Sequence, residues 1–76
     1  MTPRIVTHPQ IHFGKPCVAG TRIPVQYVLE LVREGLTSET IRKDYYKALT
    51  DEDVKACIQF AIDMISLDDL RPVEAA

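Results

Sequence analysis

The sequence predicts a mainly α-helical fold, a three-helix bundle of the helix-turn-helix sort preceded by a short N-terminal β arm or hairpin. The first 24 residues hold four of the five prolines and two of the three glycines, which prevents a long helix there. After Pro24 the apolar residues adopt a helical period, and further along a threonine followed by three acids is typical of a helix start. We expect a single domain over residues 1–66, with the arm at 1–23, the bundle at 24–66 and a flexible tail at 67–76.

The arm is expected to consist of brief extended pieces joined by turns. Runs of a few apolar residues lie between the prolines and glycines, and this suits strands of two to four residues. The extended pieces are predicted at residues 4–7, 11–13 and 17–18, with turns at 14–16 and 19–22.

The first helix is predicted over residues 24–34. From Val25 the apolar residues recur at i, i+3, i+4 and i+7, which places them on one helical face. Pro24 suits the first helical position, because the N–H that it lacks would have no helical partner there. Gly35 suits the position after the helix, where a left-handed residue is needed, and Leu36 can supply the apolar contact that accompanies it.

A short second helix is predicted to begin at Thr37 or Ser38, because either side chain can cap it. Its apolar face is thin, with Ile41 and Tyr45 one turn apart. We expect this helix to end between residues 44 and 46.

The third helix, expected over residues 51–66, has the strongest start signal in the chain. Thr50 can cap it, and Asp53 occupies the position from which an acidic side chain completes a capping box. A wide apolar stripe follows, and we expect it to serve both the core and a homodimer interface. The interface candidates are Val54, Ile58, Ala61, Ile62 and Ile65.

The length of the chain indicates a small protein whose core needs additional stabilisation. A chain of 76 residues buries only about 60% of its unfolded surface, so its core is marginal and a partner chain is the expected support. We interpret the only cysteines, Cys17 and Cys57, as small core hydrophobes in a reducing cytoplasm. No stretch is apolar enough for a membrane span and no signal peptide is visible, so we expect a cytoplasmic protein.

Catalysis and cofactor binding are not expected. His8 and His12 have the spacing of a metal-binding pair on a helix, but Pro9 between them argues against a helix. The Gly-Lys and Gly-Thr pairs of the arm lack the full spacing of a phosphate-binding loop. A chain of this length has little material to enclose a pocket of about 300 Å³ or more, so the sequence favours a binding protein over an enzyme.

DNA binding is the alternative that the charge pattern leaves open. The net charge of −2 is uneven, since residues 1–29 carry three basic side chains and no acidic one. In a helix-turn-helix the start of the second helix meets the bases, and here Asp51, Glu52 and Asp53 would repel phosphate. Basic residues elsewhere would have to make the contact, with ordinary surface charge as the competing interpretation. The candidates for DNA or partner contact are Lys15, Thr21, Arg22, Arg42, Lys43 and Lys47.

Several segments together resemble a known family. Residues 12–25, HFGKPCVAGTRIPV, resemble the G-K-P-x-[IV]-x-G-T-R-[IVL]-x-V signature of the bacterial domain-of-unknown-function family four-three-three. Residues 31–37 resemble its L-x-x-x-G-x-[ST] turn, and residues 49–54 its L-T-x-E-D-[IV] helix start. The resemblance covers roughly residues 4–65. One departure is YYKAL at 45–49, which replaces the usual Y-P-x-L joint and implies a looser connection between helices two and three.

The resemblance implies a homeodomain-like fold and an antitoxin role, because members of this family are commonly encoded beside small PIN-like nucleases. Such nucleases hold Mg²⁺ with several carboxylates, and an arginine can pair with carboxylates through two parallel hydrogen bonds. Arg22 and Arg71 are the candidates for this contact. The alternatives are that Arg22 bonds within its own fold and that Arg71 is ordinary tail charge. The expected function is neutralisation of a nearby-encoded nuclease, with a DNA-binding regulator and a structural adaptor as alternatives.

Overall fold

The computed structural model describes residues 4–67, and within them the chain is mainly helical. A two-stranded antiparallel hairpin precedes three helices, which confirms the predicted class. The tail expected at 67–76 lies outside the described residues except for Leu67, which is the last residue of the third helix. The elements are β1 (Ile5–Val6), β2 (Cys17–Val18), α1 (Val25–Arg33), α2 (Ser38–Thr40) and α3 (Asp51–Leu67).

The arm contains two strands where three extended pieces were expected. Ile5 lies opposite Val18 in the β1–β2 hairpin. The prediction of an extended piece at 11–13 is wrong, because His12 and Phe13 have φ angles of 49° and 56° and form a tight turn, His12–Gly14. Backbone hydrogen bonds within this turn stabilise it. In a strand, the same N–H and C=O groups would instead have to bond to a neighbouring strand.

Helix α1 begins one residue later than predicted. Pro24 is not its first helical residue, because its ψ of 141° is extended. Pro24 instead forms an isolated bridge with Cys17, and the N–H of Val25 donates to the Pro16 carbonyl at 2.9 Å. Pairing with the arm therefore holds Pro24 in the extended conformation and fixes the start of α1.

The end of α1 agrees with the prediction for Gly35. Its φ is 90°, and its N–H donates to the Val32 carbonyl at 2.9 Å. The N–H of Leu36 donates to the Leu31 carbonyl at 3.2 Å. This pair of bonds is a Schellman motif, which satisfies the last carbonyls of the helix.

The second and third helices begin with the expected caps. Thr37, rather than Ser38, caps α2 and accepts a hydrogen bond from the Thr40 N–H at 3.2 Å. A π-helical turn, Ile41–Tyr45, continues α2 and ends within the expected range. At α3, Thr50 Oγ1 accepts the Asp53 N–H at 3.1 Å while Asp53 Oδ2 accepts the Thr50 N–H at 2.9 Å, which confirms the capping box.

Every region of the fold contributes side chains to one core. Both cysteines are buried and unpaired, which confirms their interpretation as core hydrophobes. Val54 is only 2% exposed, so the prediction of this residue at a dimer interface is wrong: it faces the core of its own chain. The buried cluster comprises Val18, Val25, Val28, Ile41, Leu49, Val54 and Cys57.

None of the helices described between residues 4 and 67 combines the length and the apolar character that crossing a membrane requires.

Candidate functional site

The arm presents Arg22 on a turn that is closed by several internal hydrogen bonds. Gly20 has a φ of 79°, a conformation that glycine adopts without steric cost. The Thr21 hydroxyl donates to the Val18 carbonyl at 2.8 Å and accepts the Ile23 N–H at 3.1 Å. These bonds engage Thr21 within the turn, so Thr21 positions its neighbour Arg22 and does not itself point a free hydroxyl at a partner.

The Arg22 side chain is exposed, and a hydrogen bond from His12 also holds its backbone. The His12 Nε2–H donates to the Arg22 carbonyl at 2.9 Å, and the His12 ring meets the Tyr27 ring edge-on with 6.4 Å between centroids. Among residues 4–67 the Arg22 guanidinium forms neither a hydrogen bond nor a salt bridge. The alternative, that the Arg22 side chain bonds turn carbonyls or an acid within its own fold, therefore finds no partner among residues 4–67. Arg71, the other arginine candidate, lies outside the described residues.

An ion pair ties the arm to the start of α3. Arg4 Nη1 lies 3.0 Å from Asp53 Oδ1, and Ile5 packs against the core beside it. Partial burial acts to raise the pKa of Asp53, but the hydrogen bonds from Thr50 and Arg4 together outweigh it, and the pKa is lowered. Asp53 therefore stays ionised at neutral pH, and its carboxylate bonds both the Thr50 N–H of the cap and Arg4 of the arm.

The two other acids at the start of α3 differ in their contacts. A hydrogen bond from Ser38 and the ammonium of Lys55, 3.2 Å from Asp51 Oδ2, lower the pKa of Asp51. Glu52 is exposed. The first turn of α3 therefore presents a negative surface, which is unfavourable for contact with phosphate.

Three of the predicted basic residues lie together at the end of the second helix. Arg42, Lys43 and Lys47 line one shallow depression of about 350 Å³, together with Leu49 and one acid, Glu39. Arg42 is half-buried and donates to Ser38 Oγ at 3.3 Å, so the two lysines are the more available cations. Lys15 does not join them, since it lines a different depression.

That second depression is an apolar groove between α1 and the C-terminal half of α3. Its volume is about 590 Å³. Phe60 and Met64 line it, and the sequence interpretation missed both, although they follow Cys57 at i+3 and i+7 and share its helical face. We name this the α1–α3 groove; its apolar lining is Pro16, Pro24, Val25, Leu29, Phe60, Ala61, Met64 and Ile65.

The exposed side of α3 continues from the groove. Ile58, Ile62 and Ile65 are 36%, 48% and 60% exposed and follow one another at i, i+4 and i+7, which aligns them along the helix. The exposed part of the predicted interface is therefore Ile58, Ala61, Ile62 and Ile65, without Val54. Its use as a dimer interface stays a prediction.

Phe13 is the most exposed large apolar side chain among the described residues, at 99%. It lies in the left-handed turn of the arm with φ 56° and ψ 35°. This exposed position could not be predicted from the sequence, because an apolar residue between a histidine and a glycine is equally typical of a short strand.

The buried cysteine of α3 is not a reactive thiol. Burial, followed by the nearby charge of Asp53, raises the pKa of Cys57 to about 11. Within residues 4–67 no three His, Cys, Asp or Glu side chains lie close enough together to hold a metal ion. The features that the described part of the chain offers are surfaces: an arginine turn, a basic depression, an apolar groove and an exposed phenyl ring.

The fold defines a small three-helix protein with an N-terminal hairpin arm. The family model described as protein of unknown function (DUF433) matches residues 5–61. The chain belongs to the DUF433 family, which confirms the resemblance found in the arm signature.

A solved structure supports the same fold. The crystal structure of a DUF433 member protein from Anabaena variabilis is similar at a TM-score of 0.74 with 23% sequence identity. The match covers 86% of this chain but 63% of that one, so this chain spans less than two thirds of the length of that relative. No curated protein matches the sequence.

Proposed function

We propose that this chain is the antitoxin of a bacterial toxin–antitoxin pair, a cytoplasmic, non-enzymatic protein that binds and neutralises a PIN-like nuclease encoded nearby. The observation that carries the proposal is Arg22. Its guanidinium is exposed and has no partner within residues 4–67, while its backbone is held by the Thr21 turn and by His12.

An exposed guanidinium on a fixed backbone, with no partner among residues 4–67, suits an acidic nuclease site. Nucleases of this type hold Mg²⁺ with several carboxylates, and a guanidinium pairs with carboxylate oxygens through two parallel hydrogen bonds. An arginine inserted there would neutralise the carboxylates and compete with the metal ion. Because the turn already fixes the Arg22 backbone, less conformational freedom is lost on binding than for an arginine on a flexible loop. Arg71 remains the second candidate for the same contact.

The proposal is tested by co-expressing this chain with the nuclease encoded beside its gene and measuring bacterial growth and complex formation. We expect the wild-type chain to restore growth and to co-purify with the nuclease. Arg22→Ala should lose both effects, and Arg22→Lys should recover them only partly, because an ammonium lacks the paired donors. Lys55→Ala is the matched control, since it removes an exposed cation of α3 that is not among the candidates for partner contact.

Two results would overturn the proposal. One is undiminished toxicity with no complex when the wild-type chain is present. The other is full protection by a folded Arg22→Ala variant, verified by circular dichroism, which would remove the arginine from the mechanism.

A DNA-binding regulator is the second candidate, and the basic depression of Arg42, Lys43 and Lys47 favours it. Phosphate contacts by these residues would give an affinity for the chain's own promoter that weakens steeply with salt. We expect an electrophoretic mobility shift to be reduced by the Lys43→Ala/Lys47→Ala double variant. Absence of any shift at low salt would exclude this function. Partner binding with neither nuclease neutralisation nor DNA affinity would instead identify a structural adaptor.

A further inference from the structure

Phe13 contributes little to the fold of its own chain. Its side chain is 99% exposed, so almost no apolar surface is buried with it. His12 and Phe13 are consecutive residues with φ angles of 49° and 56°, in the left-handed region that residues other than glycine rarely adopt. Residues held in such conformations are concentrated at functional sites. The exposed ring is therefore a feature that folding of the chain does not explain.

The turn that carries Phe13 is joined to the turn that carries Arg22. The His12 Nε2–H donates to the Arg22 carbonyl at 2.9 Å. Because Phe13 directly follows His12, standard bond lengths limit the Cα atoms of Phe13 and Arg22 to a separation of about 14 Å at most. One side of a standard protein interface, about 800 Å² in area, is roughly 30 Å across. A single interface is therefore wide enough to contact both residues.

The same turn is held against α1 before any partner binds. The His12 ring meets the Tyr27 ring of α1 edge-on, with 6.4 Å between centroids. The Gly14 N–H donates to the Ile11 carbonyl at 3.0 Å, and the Lys15 N–H donates to the His12 carbonyl at 3.1 Å. These contacts fix the turn in the free chain, so little loop ordering opposes binding there.

The charges around Phe13 and Arg22 favour an acidic partner. Residues 1–29 contain no acidic side chain. The first acid of the chain, Glu30, lines the α1–α3 groove, whereas neither Phe13 nor Arg22 belongs to that lining. The arm therefore offers an apolar side chain and a cation together, and the complementary surface combines an apolar pocket with carboxylates.

We propose that Phe13 is a second anchor of the nuclease complex, and that its ring enters an apolar pocket beside the carboxylate site that Arg22 contacts. This inference rests on the antitoxin role proposed above and extends it, because it states what the partner surface must contain besides acidic residues. Aromatic and arginine side chains buried in partner pockets carry much of the binding free energy of protein interfaces.

A protein pocket fits this ring better than a nucleic-acid base does. Proteins that bind single strands combine aromatic side chains with a basic groove that follows the phosphate backbone. This chain has a net charge of −2, and Arg4, one of the three cations of the arm, is already paired with Asp53. The arm therefore lacks the run of available cations that a phosphate backbone requires.

Titration calorimetry of the purified full chain with the purified nuclease encoded beside its gene tests the proposal. We expect Phe13→Gly to weaken the complex about 10- to 100-fold, because burial of the phenyl ring is lost. Glycine adopts the left-handed conformation without steric cost, so this variant should melt no lower than the wild type. Phe13→Asn should weaken the complex to a similar extent, since asparagine also tolerates this conformation and does not add the flexibility of glycine.

Tyr45→Ala is the matched control, because it removes another exposed aromatic side chain, 55% exposed, from outside the arm. We expect it to bind the nuclease as the wild type does. Salt separates the two anchors, since ionic attraction is screened and apolar burial is not. The loss caused by Phe13→Gly should be the same at low and high salt, whereas the loss caused by Arg22→Ala should shrink at high salt.

Three results would overturn the second anchor. If a folded Phe13→Gly chain binds the nuclease as tightly as the wild type while Arg22→Ala does not, Phe13 is not an anchor and the antitoxin role stands. If the wild-type chain forms no complex, both proposals fail. If Phe13→Gly keeps its affinity for the nuclease but loses a mobility shift of a single-stranded oligonucleotide, the ring stacks on bases and the protein pocket is the wrong occupant.

Discussion

Replacing Asp53 with asparagine tests the junction between the arm and α3. The Asp53 carboxylate accepts the Thr50 N–H through Oδ2 and pairs with Arg4 through Oδ1. Asparagine keeps one acceptor for the cap but loses the charge that serves the helix N-terminus and the arginine.

The expected loss follows from the two interactions. The carboxylate is 14% exposed but the Arg4 side chain is 50% exposed, so solvent screens the pair and it contributes about 0.2–1 kcal/mol. The charge at the helix N-terminus contributes a further amount of about 0.3–1 kcal/mol. We therefore expect Asp53→Asn to lower the free energy of unfolding by about 1 kcal/mol at neutral pH. For a domain of this size that corresponds to a fall of about 4–8 °C in Tm.

The pH dependence of this loss is fixed by the direction of the pKa shift. The folded-state pKa of Asp53 lies below the value of 3.8 expected for an unperturbed aspartate. Its stabilisation is therefore complete above the pKa of the unfolded chain and is lost as the pH falls through the folded-state pKa. Wild-type and Asp53→Asn melting temperatures, measured by far-ultraviolet circular dichroism, should differ at pH 7 and converge as the pH falls below the folded-state pKa of Asp53.

Asp63→Asn is the matched control for this experiment. Asp63 lies on the same helix, and within residues 4–67 its one side-chain partner is Gln59, at 2.8 Å; it lies toward the negative end of the helix dipole. Removing its charge should leave the stability unchanged or slightly raised. Equal melting of wild type and Asp53→Asn at pH 7, or a difference that persists in acid, would refute the reasoning. Arg4→Ala added to Asp53→Asn should cost little more, since its partner charge is already gone.

Three further predictions concern the core and the helix end. Gly35→Ala should lower the free energy of unfolding by about 1 kcal/mol in urea denaturation. Apart from the two chain neighbours, no atom of residues 4–67 lies within 4 Å of the added methyl, so the φ of 90° is what opposes it. Ile41→Val, at a fully buried position, should cost about 0.5–1.5 kcal/mol in the same assay. Cys57 should resist iodoacetamide at neutral pH in the native chain and react once urea unfolds it, because its native pKa is about 11; peptide mass spectrometry measures the labelling.

The parts of the fold that depend on one helical turn could be predicted from the sequence. The capping box of Thr50 and Asp53 and the left-handed Gly35 each need only residues within six positions of one another. The residue types alone therefore identify them. The same holds for the short second helix, whose cap at Thr37 was one of two predicted alternatives.

The features that depend on distant packing could not be predicted. Periodicity identifies the apolar side of α3, but it does not show which residues of that side contact the core. Val54 is therefore predicted at an interface, whereas it packs inside its own chain. Phe13 lies in a left-handed turn next to His12, whose ring bonds the Arg22 carbonyl ten residues away. The candidate site was likewise only partly predictable. The arm signature indicates Arg22, but only the fold shows that its side chain is unpaired within residues 4–67.

Helix α3 extends beyond the core to which it belongs. Val54 and Cys57 are buried in its first two turns and Phe60 packs against the core one turn later, while Ile58, Ile62 and Ile65 lie at the surface. Backbone hydrogen exchange should therefore quicken along α3, because short helical turns without tertiary support open readily. A partner protein that binds over the C-terminal turns of α3 would suppress this local opening. Because the partner binds the closed helix, the frequency of opening would fall as the concentration of the partner rises. Part of its binding free energy would go into ordering the helix, so affinity at this face would respond to helix propensity at exposed positions as well as to direct contacts.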